Sequence, residues 1–97
     1  MKIIWSPLSV ERLDDIFKYI EKHNSKAAHK MVVGIIRKVG TLSEYPYLGR
    51  IVPEANIKEI RELFEGEYRI IYKVSLNKIF ILTIRNFKQL LPEKDLE

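Results

Sequence analysis

Apolar positions along this chain follow two periods, one in each half. Val10, Leu13, Ile16, Phe17 and Ile20 recur at helical spacing, with Glu11, Arg12, Asp14, Asp15 and Lys18 around the rest of the circumference. The pattern predicts a helix from about Pro7 to Lys22. Ser6 can accept from the first-turn N–H groups, and Pro7 is tolerated at the first helical position. Asn24–Ser25 interrupts the period. Ala28, Met31, Val32, Ile35, Ile36, Val39 and Leu42 then carry it to about Glu44, with Ser25 as the expected cap. So short a connection folds the two helices into an antiparallel hairpin. Gly34 and Gly40 weaken the second helix in isolation.

The strand signals have period two. Lys2–Trp5, Ile57–Phe64, Tyr68–Val74 and Lys78–Asn86 read as strands, with "EGE" (65–67) and "SLN" (75–77) short enough for hairpins. Pro46, Gly49 and Pro53 make residues 45–54 a loop. In "YRIIYKV", Tyr68, Ile70, Tyr72 and Val74 alternate with Arg69, Ile71 and Lys73. In the last strand Phe80, Leu82 and Ile84 share one face, and Ile79, Ile81, Thr83 and Arg85 the other. Residues 87–97 form a short C-terminal helical turn or stay loose.

The expected fold class is therefore α+β, a single domain over residues 1–97 in the order β-α-α-β-β-β. It has an N-terminal strand and an antiparallel α-helical hairpin packed on a small twisted antiparallel sheet. With Tyr68, Ile70, Tyr72 and Val74 against the helices, Arg69 and Lys73 fall on a face partly open to solvent.

Composition narrows the function classes. Ninety-seven residues, 46% apolar and 31% charged, suit one folded domain with one core. No apolar run approaches a membrane span, and "MKIIWSP" is too short for a signal-peptide core, so the expected location is the cytoplasm. The absence of cysteine excludes disulfides and thiol chemistry, and His23 and His29 lack the spacing of a metal site. No metal or cofactor is expected. The net charge of +4 is unevenly placed: residues 68–92 contain no acid, while Arg69, Lys73, Lys78, Arg85 and Lys88 are cationic. Such a block fits a polyanion or an acidic protein as partner. A solvated lysine-rich face is the simpler reading from composition alone.

Four arginines supply the candidate chemistry: Arg50 in the loop, then Arg61, Arg69 and Arg85 on the strands. The planar guanidinium fork suits phosphate and carboxylate. If Arg61, Arg69 and Arg85 project from adjacent strands on one face, they form a concave cationic patch, with Tyr45, Tyr47 and Phe87 placed to stack on bases. Arg50, Lys73 and Lys88 extend that target- or phosphate-binding set. Glu59 and Glu62 beside Arg61 read as an alternating-charge face or as exposed ion pairs of little worth. Nothing resembles a Ser–His–Asp or Cys–His arrangement. Trp5 reads as core, His23 as a favourable group at a helix end, and His29 as surface.

"WSPLSVERLDDIFKYI" (5–20), "LSEYPYLGRIVPE" (42–54), "IREL" (60–63), "YRIIYKV" (68–74) and "IFILTIRN" (79–86) resemble the RelE/ParE superfamily of type II toxin–antitoxin toxins, in order and over nearly the whole chain. The resemblance implies the fold reached above and a cognate antitoxin partner in a hetero-oligomer. It also implies one of two activities. RelE-type members cut messenger RNA in the ribosomal A site, by attack of a 2′-hydroxyl on the adjacent phosphate. ParE-type members of this superfamily, whose toxins are often called plasmid stabilisation proteins, instead poison DNA gyrase and have no established hydrolytic centre. On the cutting reading Arg69 and Arg85 match phosphate-stabilising cations, with Arg61, Glu54 and Lys88 as the other catalytic candidates. Several cutting relatives place His or Tyr just after the last-strand arginine, whereas this chain has Asn86, Phe87 and Lys88. Glu54 and Lys88 are the only substitutes, and a lysine ammonium is a poor base at neutral pH. The resemblance therefore leans toward the ParE-like branch and away from an enzyme. A plain nucleic-acid-binding domain is the remaining alternative.

Overall fold

The computed structural model describes residues 1–88 and 91–96. Its elements are β1 (Lys2–Trp5), α1 (Pro7–Glu21), α2 (Ser25–Gly40), β2 (Arg50–Ile51), β3 (Ile60–Glu65), β4 (Tyr68–Ser75) and β5 (Lys78–Asn86), with 3-10 turns at Thr41–Ser43 and Glu93–Leu96. The last of these is the expected C-terminal turn; its share of residues 89, 90 and 97 lies outside the described residues. Among the described residues no helix is long and apolar enough to cross a membrane.

Capping explains where the helices begin. The Ser6 hydroxyl accepts from the Ser9 N–H at 3.0 Å and donates to the Leu82 carbonyl at 2.9 Å, so one side chain starts α1 and ties it to β5. Asn24, rather than Ser25, caps α2, with its Oδ1 accepting from the Ala27 N–H at 3.0 Å. The helical period persists to Leu42 because the Thr41–Ser43 turn extends α2 and buries Leu42 completely.

The sheet has the order β1-β5-β4-β3-β2 and is mixed. β2–β3, β3–β4 and β4–β5 pair antiparallel, whereas β1 runs parallel to β5, from Lys2↔Lys78 to Trp5↔Ile81. This amends the all-antiparallel expectation. Tight turns dictate the sense of β3–β4–β5, but β1 reaches β5 only after the whole helical hairpin, so no turn specifies its direction. β2 lies within the expected loop, and β3 starts at Ile60 because Ile57–Ile60 closes a turn after Asn56, whose φ is +51°.

Each sheet face carries its own core. On the helix side Ile16, Ile35, Val39 and Leu42 pack on Ile70, Tyr72, Val74, Ile79, Ile81 and Ile84, with Trp5 partly buried beside them. On the far side Val52, Ile60, Ile71, Leu82 and Leu91 form a second cluster, with Ala55, Phe80 and Leu96 against it. The far face, expected to be partly open, is therefore covered near its centre by the 52–55 segment and the C-terminal segment, while Lys73 on it stays exposed. Apolar Ile71 and Leu82 on that face recruit this cover.

Strict alternation also fails in β5. Ile71 pairs with Thr83 but Tyr72 with Ile81, so Leu82 is an extra residue, a β-bulge. Beyond it the facing switches. Ile84 joins Ile79 and Ile81 on the helix side, and Arg85 stands directly across from Arg69.

Candidate functional site

Arg69 projects from the centre of the sheet into a chain of alternating charge. Its Nε donates to Glu62 Oε1 at 2.6 Å. Its Nη1 and Nη2 donate to the two oxygens of Glu54 at 2.8 and 2.9 Å, a bidentate fork. The second Glu62 oxygen accepts from Arg50 Nε at 2.6 Å. Beside this chain, Arg85 Nη1 donates to Asp95 Oδ2 at 3.2 Å. Arg69 is only 5% exposed and Glu62 1%.

Local structure accounts for each placement. The β3–β4 hairpin sets Phe64 opposite Arg69 and Ile71 opposite Glu62, so Glu62 is the diagonal neighbour of Arg69 on the same face. Glu54 hangs from a turn held by Val52, whose N–H donates to the Ile60 carbonyl and whose carbonyl accepts from Ala55 and Asn56. The Leu91 N–H adds a 3.3 Å contact to Glu54.

Chiefly through its hydrogen bonds to Arg69, and against the desolvation of partial burial, the Glu54 carboxyl is lowered to about 2. The same pairing raises Arg69 further above its already high value. The site is thus ionised and internally neutralised at physiological pH. Because the Glu54 pKa is depressed on folding, its contribution to stability is present above the ordinary carboxylate range and is lost as pH falls toward 2. Wild-type stability should decline by about 2 kcal/mol from this group between pH 5 and 2, allowing for solvent at its outer side. Glu54→Gln should flatten that part of the profile in urea titrations monitored by circular dichroism.

The expected cationic patch does not assemble as drawn. Arg69 and Arg85 do share a face, but both are engaged by carboxylates. Arg61 does not join them. It alternates away from Glu62 along β3, donates to the Lys58 and Gly49 carbonyls at 3.0 and 2.9 Å, and lies 4.8 Å over the Tyr47 ring. Its guanidinium pins the 47–49 loop. Arg50 is exposed, 5.2 Å over Phe64, and its Nε is spent on Glu62. Lys73 is exposed on β4. Lys88 lies 5.7 Å over the Phe87 ring. Tyr45 and Tyr47 are exposed on the loop before β2, with Tyr47 stacked against Arg61 and Lys58. Glu54, a candidate base, is instead a committed ion-pair partner. His29 contacts Phe17 edge-on at 5.1 Å, and His23 is exposed. Among the described residues no cluster of metal ligands occurs.

Sequence reasoning missed Glu62 as the pivot. Its signal was its position between Ile60 and Phe64 in a strand rich in apolar residues, where an unpaired carboxylate is untenable. Asp95, the partner of Arg85, carried no such signal.

An α-helical hairpin on a mixed sheet, with a buried arginine–carboxylate chain on the far face, defines a small α+β class, and sequence comparison assigns the family. Residues 3–91 match the family described as the ParE toxin of the type II toxin–antitoxin system parDE. The chain is 37% identical over 94 residues to Y4kP of Sinorhizobium fredii (strain NBRC 101917 / NGR234), named as a candidate toxin, covering 95% of this chain and 94% of that one. The fold is also that of the chromosomal ParDE system of P. aeruginosa, at TM-score 0.72 and 24% identity over 89% of this chain and 95% of that one. It is similar to the YoeB dimer of Staphylococcus aureus, at TM-score 0.58 and 24% identity over 86% and 92%. The chain belongs to the ParE toxins of type II toxin–antitoxin systems, within the RelE/ParE superfamily.

Proposed function

We propose that this toxin acts by binding, in the manner of ParE, with DNA gyrase as its target, and that a cognate antitoxin silences it in a cytoplasmic hetero-oligomer. The observation that carries the reading is the closure of Arg69 by Glu54 and Glu62. Cutting RNA through a phosphorane needs a cation free to meet developing charge and groups able to move protons. Arg69 is already neutralised by two carboxylates, Glu54 is held ionised, and Arg85 is followed by Asn86 and Phe87. An interaction toxin requires none of these groups to be free. The YoeB–YefM complex of S. aureus, 23% identical at TM-score 0.55 over 88% of this chain and 94% of that one, supports pairing of this fold with a second protein.

Purified toxin should inhibit supercoiling by gyrase in a dose-dependent way, and the product of an adjacent small acidic reading frame should reverse the inhibition. Primer extension on translated messages should show no A-site cuts. Supercoiling untouched at large molar excess, or A-site cuts that disappear in Arg69→Lys, would overturn this reading in favour of ribosome-dependent cleavage.

A further inference from the structure

Away from the buried arginines, unspent cations gather on α2. Lys26, Lys30, Arg37 and Lys38 lie on this helix, and it holds no acid. Lys38 is committed: its Nζ donates to the Phe64 carbonyl at 3.0 Å and sits 3.6 Å from Glu65. Lys26, Lys30 and Arg37 are exposed, and among the described residues none of the three makes an ion pair. With Val33 they form one stripe along the helix, and His29, Val33, Ile36 and Gly40 form the stripe beside it. Val33 is 45% exposed and Ile36 50%, so the solvent side of α2 carries an apolar strip rimmed by cations. Arg37 also borders a groove of about 350 Å3 between α2 and the end of β3, together with Gly34, Thr41 and Glu65.

Folding alone does not account for this stripe. Lys26 and Lys30 stand toward the start of α2, at the positive end of the helix dipole, and the first turn carries no acid. They are also one helical turn apart, so their like charges repel. Cations suit the other end, where Arg37 and Lys38 stand. Gly40 gives up helix propensity at a place where a Cβ would meet nothing within 4 Å. A solvated face needs charge, but not charge of one sign set beside exposed aliphatic side chains.

We propose that this stripe docks an acidic amphipathic helix of the toxin's protein target, with apolar side chains on Val33 and Ile36 and carboxylates on Lys26, Lys30 and Arg37. The inference rests on the reading of this toxin as one that acts by binding. An apolar strip with cations along one rim selects a helix of the converse pattern, at the same spacing of three and four residues. Gly40 leaves room for close approach at the end of the strip. Duplex DNA would use the cations but not the two aliphatic side chains. A lipid surface would need a broad apolar face, and that of α2, with Ala28, Ile35 and Val39, is buried in the core. A second copy of this chain would set cations against cations, at a net charge of +4.

The test uses the full chain and DNA-free gyrase, the target proposed above, with binding read by biolayer interferometry and growth arrest read on induced expression. Lys26→Glu/Lys30→Glu matches the helix dipole better, so its Tm should hold or rise, yet its affinity for gyrase should fall by about tenfold or more. Val33→Gln should keep the fold and weaken binding by about tenfold. Variants that bind gyrase as tightly as wild type would overturn the proposal and leave the gyrase reading standing. Wild-type toxin that neither binds nor inhibits gyrase would overturn that reading instead. Growth arrest then decides: its loss in both folded variants supports the stripe, and its retention overturns it. Saturable binding of duplex DNA or of phosphatidylglycerol vesicles, lost in the same variants, would assign the stripe to those ligands and overturn the proposal.

Discussion

Arg69→Met should lower stability by about 3 kcal/mol, a fall in Tm on the order of 15 °C for a domain of this size, read by thermal and urea denaturation. Among the described residues, the change removes three hydrogen bonds to carboxylates and leaves Glu62, 1% exposed, with the exposed Arg50 as its remaining ion-pair partner. A buried carboxylate stripped of its partner is far costlier than the intact pair is beneficial. The double variant Arg69→Met/Glu62→Leu should therefore recover most of the loss, because apolar groups of similar volume replace an ion pair at little net cost. The pair of variants also separates folding from function. A toxin that acts by binding elsewhere should arrest growth with the double variant, provided it is folded. A toxin that cuts through Arg69 should not.

Gly49→Ala is expected to be at least as damaging, about 3 kcal/mol or more, with loss of soluble protein as the earliest sign. A Cβ there would lie 2.4 Å from the Glu62 carbonyl oxygen and 2.8 Å from the Tyr72 hydroxyl. The first obstacle is sheet backbone and cannot rotate aside. Moving the loop instead breaks the 2.9 Å bond from the Gly49 N–H to the buried Tyr72 hydroxyl and the Arg61 contact to the Gly49 carbonyl. The first ties the residue before β2 to β4 and the second ties it to β3, so the damage reaches the Arg50–Glu62 pair as well. Gly40→Ala supplies the contrast. Nothing lies within 4 Å of its Cβ, its backbone is helical, and a gain of up to about 1 kcal/mol is expected.

The loop signal at Gly49 illustrates how far sequence reading goes. Pro46, Gly49 and Pro53 mark irregular backbone, but the glycine is required by its approach to β3 rather than by a turn with positive φ. Arg69 is a similar case. The period of "YRIIYKV" correctly opposes it to Tyr68, Ile70, Tyr72 and Val74, and the family resemblance marks it as a site residue. Neither tells that Glu62, seven residues upstream, and Glu54, fifteen upstream, neutralise it. The bulge at Leu82 is likewise invisible in a strand where both faces are apolar, yet it alone brings Arg85 opposite Arg69.

What this sequence determined by itself is the order of elements apart from the short β2, the helical hairpin and the core face of β4. Each rests on contacts between residues a turn or a strand step apart, so local period, capping and turn chemistry suffice. Tertiary structure alone decided the parallel placement of β1, the covering of the far face, the bulge at Leu82 and the closure of Arg69. Those depend on pairing between segments distant in the chain, and there a charge is free or bound according to which neighbour the fold delivers.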